Sequence, residues 1–168
     1  VRSGNVIGGG DRAPNRLLTD LIEAVITDKD FVLRMPYAIR PWQYVLDSIF
    51  GYLLIAENNF NNNNSDIFNL NSKINNKFNS QYLSETFINT WEADIKIITD
   101  KDQKYKEVDV LTINSEKAKN KLGWEPIYNI PETIKNIVDW EKAHLLPDNN
   151  TSEFSLKQIN EYLDKVFS

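Results

Sequence analysis

The feature that most constrains the fold is a strand pattern that runs into three glycines and then into an amphipathic helix. Residues 1–7 have the composition of a short strand, and Gly8, Gly9 and Gly10 follow it directly. Consecutive glycines permit positive φ angles and a close approach of the backbone to a ligand. Asn15 is expected to cap a helix that extends to about residue 27, because apolar side chains recur there at helical spacing. This unit indicates a fold that mixes strands and helices, α/β or α+β.

The remainder of the chain continues this mixture without internal repeats. Further strands are predicted over 31–34, 94–99 and 108–113, and further helices over 44–57, 80–91, 116–122 and 131–145. A last helix is expected to be capped by Ser155. Its predicted inward-facing residues are Leu156, Ile159, Leu163 and Val166.

Residues 58–79 form a segment of different composition. Eleven of its 22 residues are asparagine, so the segment has little apolar area to bury. We expect an Asn-rich loop, interrupted at most by a short strand at Ile67 and Phe68. Compositional drift is the favoured explanation of the loop, and a binding surface is the alternative that stays open.

Composition excludes several classes of site. The chain has no cysteine, which excludes disulfides, thiolate zinc sites and cysteine nucleophiles, and one histidine, which excludes a multi-His metal site. That histidine, His144, is expected to be solvated near the end of a helix. A net charge of −5 argues against a surface that binds nucleic acid. The sequence contains no run of about 18 apolar residues, so no membrane span is predicted. No P-loop and no dinucleotide-binding glycine pattern occurs.

Two stretches gather arginine and asparagine beside Gly and Pro turns. The first contains Asn5 and Arg16 on either side of the three glycines, and the second contains Arg34 and Arg40 around two prolines. Guanidinium groups bind phosphate through two parallel hydrogen bonds, which points to an anionic ligand such as a diphosphate. From the residues alone, the alternative that these arginines are ordinary surface charges stays open.

The same stretches carry a resemblance to a known family. The segments VRSGNVIGGGDRAPNRLLTDLI and RPWQYVLDSIFGYLLIAE, and farther on LTINSEKAKNKLGWEP, are similar to the CDP-glucose 4,6-dehydratases. That family is a branch of the extended short-chain dehydrogenase/reductases, the NAD-dependent epimerases and dehydratases. The resemblance extends over nearly the whole chain except the Asn-rich segment.

The resemblance implies an α/β fold, the C-terminal part of an extended Rossmann-fold sugar-nucleotide dehydratase. Residues 1–168 would then be its substrate-binding portion, with the last Rossmann elements and a small α/β domain. The NAD-binding region is expected upstream, in keeping with Val1 at the start and Met35 as the only methionine. Such enzymes convert CDP-glucose to CDP-4-keto-6-deoxyglucose, a precursor of dideoxysugars in surface polysaccharide. A cytoplasmic homo-oligomeric lyase is expected, and this chain alone is expected to be inactive.

The resemblance also implies roles for individual residues. Six match substrate-binding positions, with Arg40 on the diphosphate as the strongest match: Asn5, Arg16, Leu17, Leu33, Arg34 and Arg40. Arg2 and Ser3 match positions beside the nicotinamide of NAD. No catalytic residue and no metal ligand falls within this chain, and Trp42 and Trp124 are expected to serve packing.

Some residues depart from the family pattern. Arg12 stands where the family has Trp, Tyr44 stands in place of His, and Lys106 also replaces His. These departures leave the identity of the nucleotide open. Two alternatives therefore remain: an epimerase or dehydratase for another nucleotide sugar, and a non-catalytic module that binds sugar nucleotides.

Overall fold

Short strands alternate with longer helices along the chain. A computed structural model describes residues 1–63, 65–72, 78–99, 108–148 and 150–168. Within these residues the strands are β1 Arg2–Ser3, β2 Asn5–Ile7, β3 Phe31–Leu33, β4 Trp42–Tyr44, β5 Asn69–Leu70 and β6 Ile97–Thr99. The helices are α1 Leu17–Ile26, α2 Val45–Asn61, α3 Ser80–Trp91, α4 Glu116–Leu122, α5 Ile130–Leu145 and α6 Thr151–Val166.

The strands form three parallel pairs. β1 pairs with β5, β2 with β4, and β3 with β6. Parallel neighbours need a long crossover between them, and here the crossovers contain helices, as in α/β proteins. The predicted α/β class is therefore confirmed. The predicted strand over 108–113 is wrong within the described residues, where Val110 forms only an isolated bridge with Ile39.

The first predicted strand is divided in two at Gly4. The Gly4 N–H donates to the carbonyl of Leu70, whereas the next N–H, that of Asn5, donates to the carbonyl of Pro41. A Cβ atom at Gly4 would lie 2.1 Å from the carbonyl oxygen of Pro41, so only glycine fits this crossing point. β1 and β2 consequently face different partner strands.

The main hydrophobic core lies between α1, the strand pairs β2–β4 and β3–β6, and the helices α3 and α5. Its fully buried members include Leu21, Leu83, Phe87, Ile134 and Ile137. α5 is well delimited because Asn129 and Glu132 form a capping box and Pro131 lies in its first turn. This core fixes the N-terminal end of α1 against the carboxyl ends of β2 and β3.

A second core lies under α2. It contains Phe68, Leu70 and Trp124, all fully buried, together with Ile55 and Ala118. Gly51 of α2 lies against it, and a Cβ atom there would lie 2.5 Å from Leu70 Cδ1 and 2.9 Å from Trp124 Nε1. Gly123 ends α4 with a φ of 66°, as its position after that helix predicts. The packing role expected for Trp42 and Trp124 agrees with their burial.

The Asn-rich segment differs from the expected loop in its described parts. α2 extends through Asn61, and β5 lies at Asn69 and Leu70 rather than two residues earlier. Phe68 and Leu70 have no exposed surface, because they fill the second core. Residues 64 and 73–77 of this segment lie outside the described residues.

Two predicted helix starts are wrong. α1 has Arg16 at its N-cap rather than Asn15, which has a positive φ of 63°, and no side chain caps the helix. α6 begins at Thr151, because the Asn150 side chain accepts a hydrogen bond from the Glu153 N–H. Ser155 therefore lies inside the helix.

The buried face of α6 is also different from the predicted one. Leu156, Ile159 and Leu163 are exposed by 60%, 37% and 38%, whereas Gln158 and Tyr162 are buried. The Gln158 amide donates to the carbonyl of Asn136, and the Tyr162 hydroxyl donates to Asp47. Polar contacts with α5 and α2 thus set the rotation of α6.

Asp47 is a fully buried carboxylate in the first turn of α2. Its Oδ1 atom accepts hydrogen bonds from the Ile127 N–H and the Tyr162 hydroxyl, each at 2.9 Å. Among the described residues, its Oδ2 atom has no hydrogen-bond partner. Burial raises the pKa of Asp47, and hydrogen bonding to its carboxylate offsets only part of that effect.

Replacing Asp47 with Asn is expected to change how stability depends on pH. Because the pKa of Asp47 is raised in the folded state, folding favours the protonated carboxyl. The contribution of this group to the free energy of unfolding is therefore complete below about pH 3.9, the pKa of an unperturbed Asp. It is lost as the pH rises through the raised pKa of the folded state. The free energy of unfolding of the wild type, minus that of Asp47→Asn, should therefore fall as pH rises from 4 to 8. Urea titrations across this range measure it. Tyr162→Phe should shift the fall to higher pH, and a difference that grows with pH would contradict the assignment.

Gly51→Ala is expected to destabilise the protein although alanine favours helices. The helical preference contributes about 0.5–1 kcal/mol in favour of alanine, whereas overpacking against Leu70 and Trp124 costs about 1–3 kcal/mol. Unfolding in urea measures the net loss. Ala56→Gly, at an exposed position of the same helix, is the control: it measures the difference in helical preference between alanine and glycine without a change in core packing. A stabilised Gly51→Ala variant would show that the core has room there.

Candidate functional site

A cleft of about 660 Å³ lies where β2 and β3 end and α1 begins. Its wall contains all six residues predicted to bind substrate: Asn5, Arg16, Leu17, Leu33, Arg34 and Arg40. Ser3 also lines it, whereas Arg2 does not. Residues that are up to 35 positions apart in the sequence thus meet at one place.

Three arginines surround the cleft. The Nη1 atom of Arg40, which is half-buried, donates to the carbonyls of Ile39 at 3.0 Å and Asp109 at 3.3 Å. Arg16 forms an exposed ion pair of 3.2 Å with Asp11, and Arg34 is exposed on the wall. Because guanidinium groups suit phosphate oxygens, this rim is able to hold a doubly charged anion.

The floor of the cleft is apolar. Leu33, Trp42 and Ile22 are buried there, and Leu17 is half-buried. Asn5 adds an exposed amide that is able both to donate and to accept hydrogen bonds. An apolar floor with a cationic rim is suited to a small molecule that carries a ring system and phosphates.

The glycine turn, residues 8–11, forms one edge of the cleft and packs against Trp140 of α5. A Cβ atom at Gly9 would lie 2.6 Å from the Trp140 ring, and Gly10 has a φ of 81°. Trp140 is held in turn, because its Nε1–H donates to the Ser155 hydroxyl at 2.9 Å. His144, in the last turn of α5 and exposed as expected, stacks on the same indole ring.

Sequence reasoning missed the partner of Arg12. The Arg12 guanidinium makes a two-pronged contact with the buried Glu141 carboxylate, with Nη1–Oε1 at 2.9 Å and Nη2–Oε2 at 2.7 Å. This contact raises the pKa of Arg12. Glu141 falls four residues after Ile137 on the inward face of α5, so a charged residue in an apolar stripe was the available signal. An apolar side chain at position 141 would pack against other apolar groups, whereas Glu141 contacts the guanidinium of Arg12 instead.

Within the described residues, the glycine turn and Arg2 do not form a dinucleotide site. The glycines of the turn make room for the Trp140 ring, and Arg2 lies off the cleft. The Ser3 hydroxyl is within hydrogen-bond distance of the side chains of Gln43 and Ser48. Lys106 lies outside the described residues.

In the ranges that the structure describes, no group of three or more His, Cys, Asp or Glu side chains is arranged to hold a metal ion. Among the helices of those ranges, none has the length and apolar character needed to cross a membrane.

Solved structures share this fold. A UDP-glucose 4-epimerase from Thermotoga maritima matches with a TM-score of 0.72 at 22% identity, over 86% of this chain and 46% of its own. A dTDP-glucose 4,6-dehydratase from Bacillus anthracis in complex with NAD matches with a TM-score of 0.70 at 20% identity, over 86% and 44%. At these identities the likeness establishes the fold alone: the chain has the fold of a part of these two proteins that makes up slightly less than half of each.

Sequence comparison establishes the family and confirms the resemblance found in the sequence. A CDP-glucose 4,6-dehydratase from Salmonella typhimurium is 30% identical over 165 residues, which cover 97% of this chain and 46% of that enzyme. The chain thus spans about half the length of that relative and corresponds to its C-terminal portion. The sequence model of the GDP-mannose 4,6 dehydratase family matches residues 8–137. The chain therefore belongs to the GDP-mannose 4,6 dehydratase family of sugar-nucleotide dehydratases and epimerases.

Proposed function

We propose that this chain is the substrate-binding portion of an NAD-dependent CDP-glucose 4,6-dehydratase, a lyase that makes CDP-4-keto-6-deoxyglucose. The observation that carries the proposal is the convergence of Asn5, Arg16, Arg34 and Arg40 on one cleft. The 30% identity to a CDP-glucose 4,6-dehydratase along 97% of the chain supports the choice of substrate.

In the proposed complex the diphosphate lies between Arg40 and Arg16. Arg40 is half-buried and held by two backbone carbonyls, so its charge is already oriented before a ligand binds. Pre-ordered side chains lose less entropy on binding than mobile ones do. Arg16 lies at the exposed mouth of the cleft, where it and Arg34 complete the neutralisation of the two phosphates.

The nucleoside and sugar are proposed to lie along the floor of the cleft. Leu33 and Leu17 supply the apolar surface, and Asn5 supplies hydrogen bonds next to the diphosphate. Two of the departures from the family pattern do not touch this surface, because Arg12 contacts Glu141 and Tyr44 is buried against Tyr128. These two departures therefore give no reason to expect a different nucleotide.

The rest of the activity is proposed to depend on residues that precede this chain in the full-length enzyme. The side chains described above do not provide a dinucleotide site, so we assign most NAD contacts and the catalytic groups to that region. Ser3 and Arg2 are proposed as minor cofactor contacts near the cleft. We further propose a cytoplasmic homo-oligomer that supplies sugar precursors for surface polysaccharide.

A second candidate is an epimerase or dehydratase for another nucleotide sugar. It is favoured by the structural likeness to a UDP-glucose 4-epimerase, which has the same fold in this region. The full-length enzyme should be supplied with NAD and with CDP-, UDP-, dTDP- or GDP-glucose in turn, and the products identified by mass spectrometry. We expect loss of water from CDP-glucose alone. Turnover of another nucleotide sugar would replace the proposed substrate, and binding without turnover would favour a non-catalytic module.

Arg40→Ala is expected to weaken CDP-glucose binding by the full-length enzyme at least about tenfold. The variant loses a charge-assisted contact to the diphosphate, worth roughly 1.5–3 kcal/mol. Calorimetry with CDP-glucose and with NAD separates the two ligands, and NAD affinity should hardly change. Lys157→Ala removes an exposed cation on α6 and serves as the control. Unchanged CDP-glucose affinity in Arg40→Ala would remove Arg40 from the site.

A further inference from the structure

The contact between Arg12 and Glu141 lies outside the cleft but is connected to its edge. We propose that Arg12 and Glu141 form a positioning pair that fixes the glycine turn, and through Asp11 the guanidinium of Arg16, at the mouth of the cleft. The proposal rests on the proposed function only for the identity of the ligand. Arg12 and Glu141 do not line the cleft themselves, so they are positioning residues rather than binding residues.

The first link runs from α5 to the glycine turn. Glu141 is fully buried, and its carboxylate accepts three hydrogen bonds, two from Arg12 and one of 2.8 Å from the Gly10 N–H. A buried carboxylate is tolerated only when such donors replace its water. The backbone of the turn is therefore one of the groups that neutralises Glu141, and its position is coupled to that of α5.

The second link runs from the turn to the cleft. The Nη1 atom of Arg12 also donates to the carbonyl of Asp11 at 3.0 Å, so one guanidinium holds both Glu141 and the backbone of the turn. The Asp11 carboxylate accepts from the Ala13 N–H at 2.9 Å and forms the ion pair with Arg16. Asp11 and Arg16 both line the cleft. The connection from Glu141 to Arg16 is thus continuous.

The arrangement separates positioning from stability. A buried ion pair is often replaced by apolar residues of similar volume without loss of stability, whereas removal of one partner leaves a buried charge. Position 12 is 48% exposed, and Gly10 is exposed as well. Water is therefore able to solvate the Gly10 N–H when the carboxylate of Glu141 is removed. A double change to methionine should therefore preserve the fold but free the turn.

The test uses three variants in the full-length protein. Arg12→Met/Glu141→Met removes the pair, Glu141→Gln keeps an acceptor for the Gly10 N–H, and Lys135→Gln/Asp139→Asn removes an exposed pair on α5 as a control. Each is measured by thermal unfolding, by hydrogen exchange of the peptide that contains residues 8–12, and by calorimetry with CDP.

For the double methionine variant we expect an unfolding temperature within a few degrees of the wild type, clearly faster exchange in residues 8–12, and CDP affinity lowered about fivefold or more. Glu141→Gln keeps the acceptor at Oε1 but turns an amide NH₂ group toward the second Arg12 donor, so its values should lie between those of the wild type and the double variant. The control should stay close to the wild type in all three. The proposal would be overturned if the double variant showed the same exchange rates in residues 8–12 and the same CDP affinity as the wild type.

If the wild type does not bind CDP, the proposed function fails, and the exchange of residues 8–12 alone decides whether the pair positions the turn. If the double methionine variant does not fold, Arg12→Lys decides, because lysine keeps the charge but cannot make the two-pronged contact. Faster exchange with CDP affinity lowered about threefold supports the pair, and unchanged values overturn it.

Discussion

The parallel pairing of β2 with β4 is the interaction on which the cleft depends. In parallel strands the carboxyl ends lie at the same edge, and here Ile7 pairs with Tyr44 at that edge. The glycine turn leaves β2 and α2 leaves β4 side by side, so close that a Cβ atom at Gly8 would lie 2.7 Å from Val45 Cγ1. Ligands of α/β proteins bind at such carboxyl edges, and the cleft is found there.

Much of this arrangement follows from local sequence signals. Apolar periodicity and capping residues predicted α3, α4 and α5 closely. The strand–turn–helix unit predicted a mixture of strands and helices, and the family resemblance narrowed the prediction to the α/β class. The face of α6 was not predictable from periodicity. Its apolar residues are exposed because Tyr162 is fixed by Asp47, which lies 115 positions away in the sequence. Likewise, a segment rich in asparagine contributes Phe68 and Leu70 to a core, because single buried side chains leave no periodic signal.

The candidate site shows the same division. The six residues suggested by the family resemblance lie on one cleft, since they belong to segments joined by parallel strands and short turns. The residues that hold the edge of that cleft, Trp140 and Glu141, were missed because their partners lie about 130 positions away. A charge on the apolar face of a helix marks such a residue but does not reveal its partner.

The two buried carboxylates therefore play different parts in one structure. Glu141 is matched by a guanidinium, whereas Asp47 receives only uncharged donors and burial raises its pKa. Asp47 is also the carboxylate that holds α6 to α2, through the hydroxyl of Tyr162. α6 also holds Trp140 through Ser155, and Trp140 supports the glycine turn. A loosening of α6 at Asp47 would thus reach the cleft through Trp140 even while the contact between Arg12 and Glu141 remained intact.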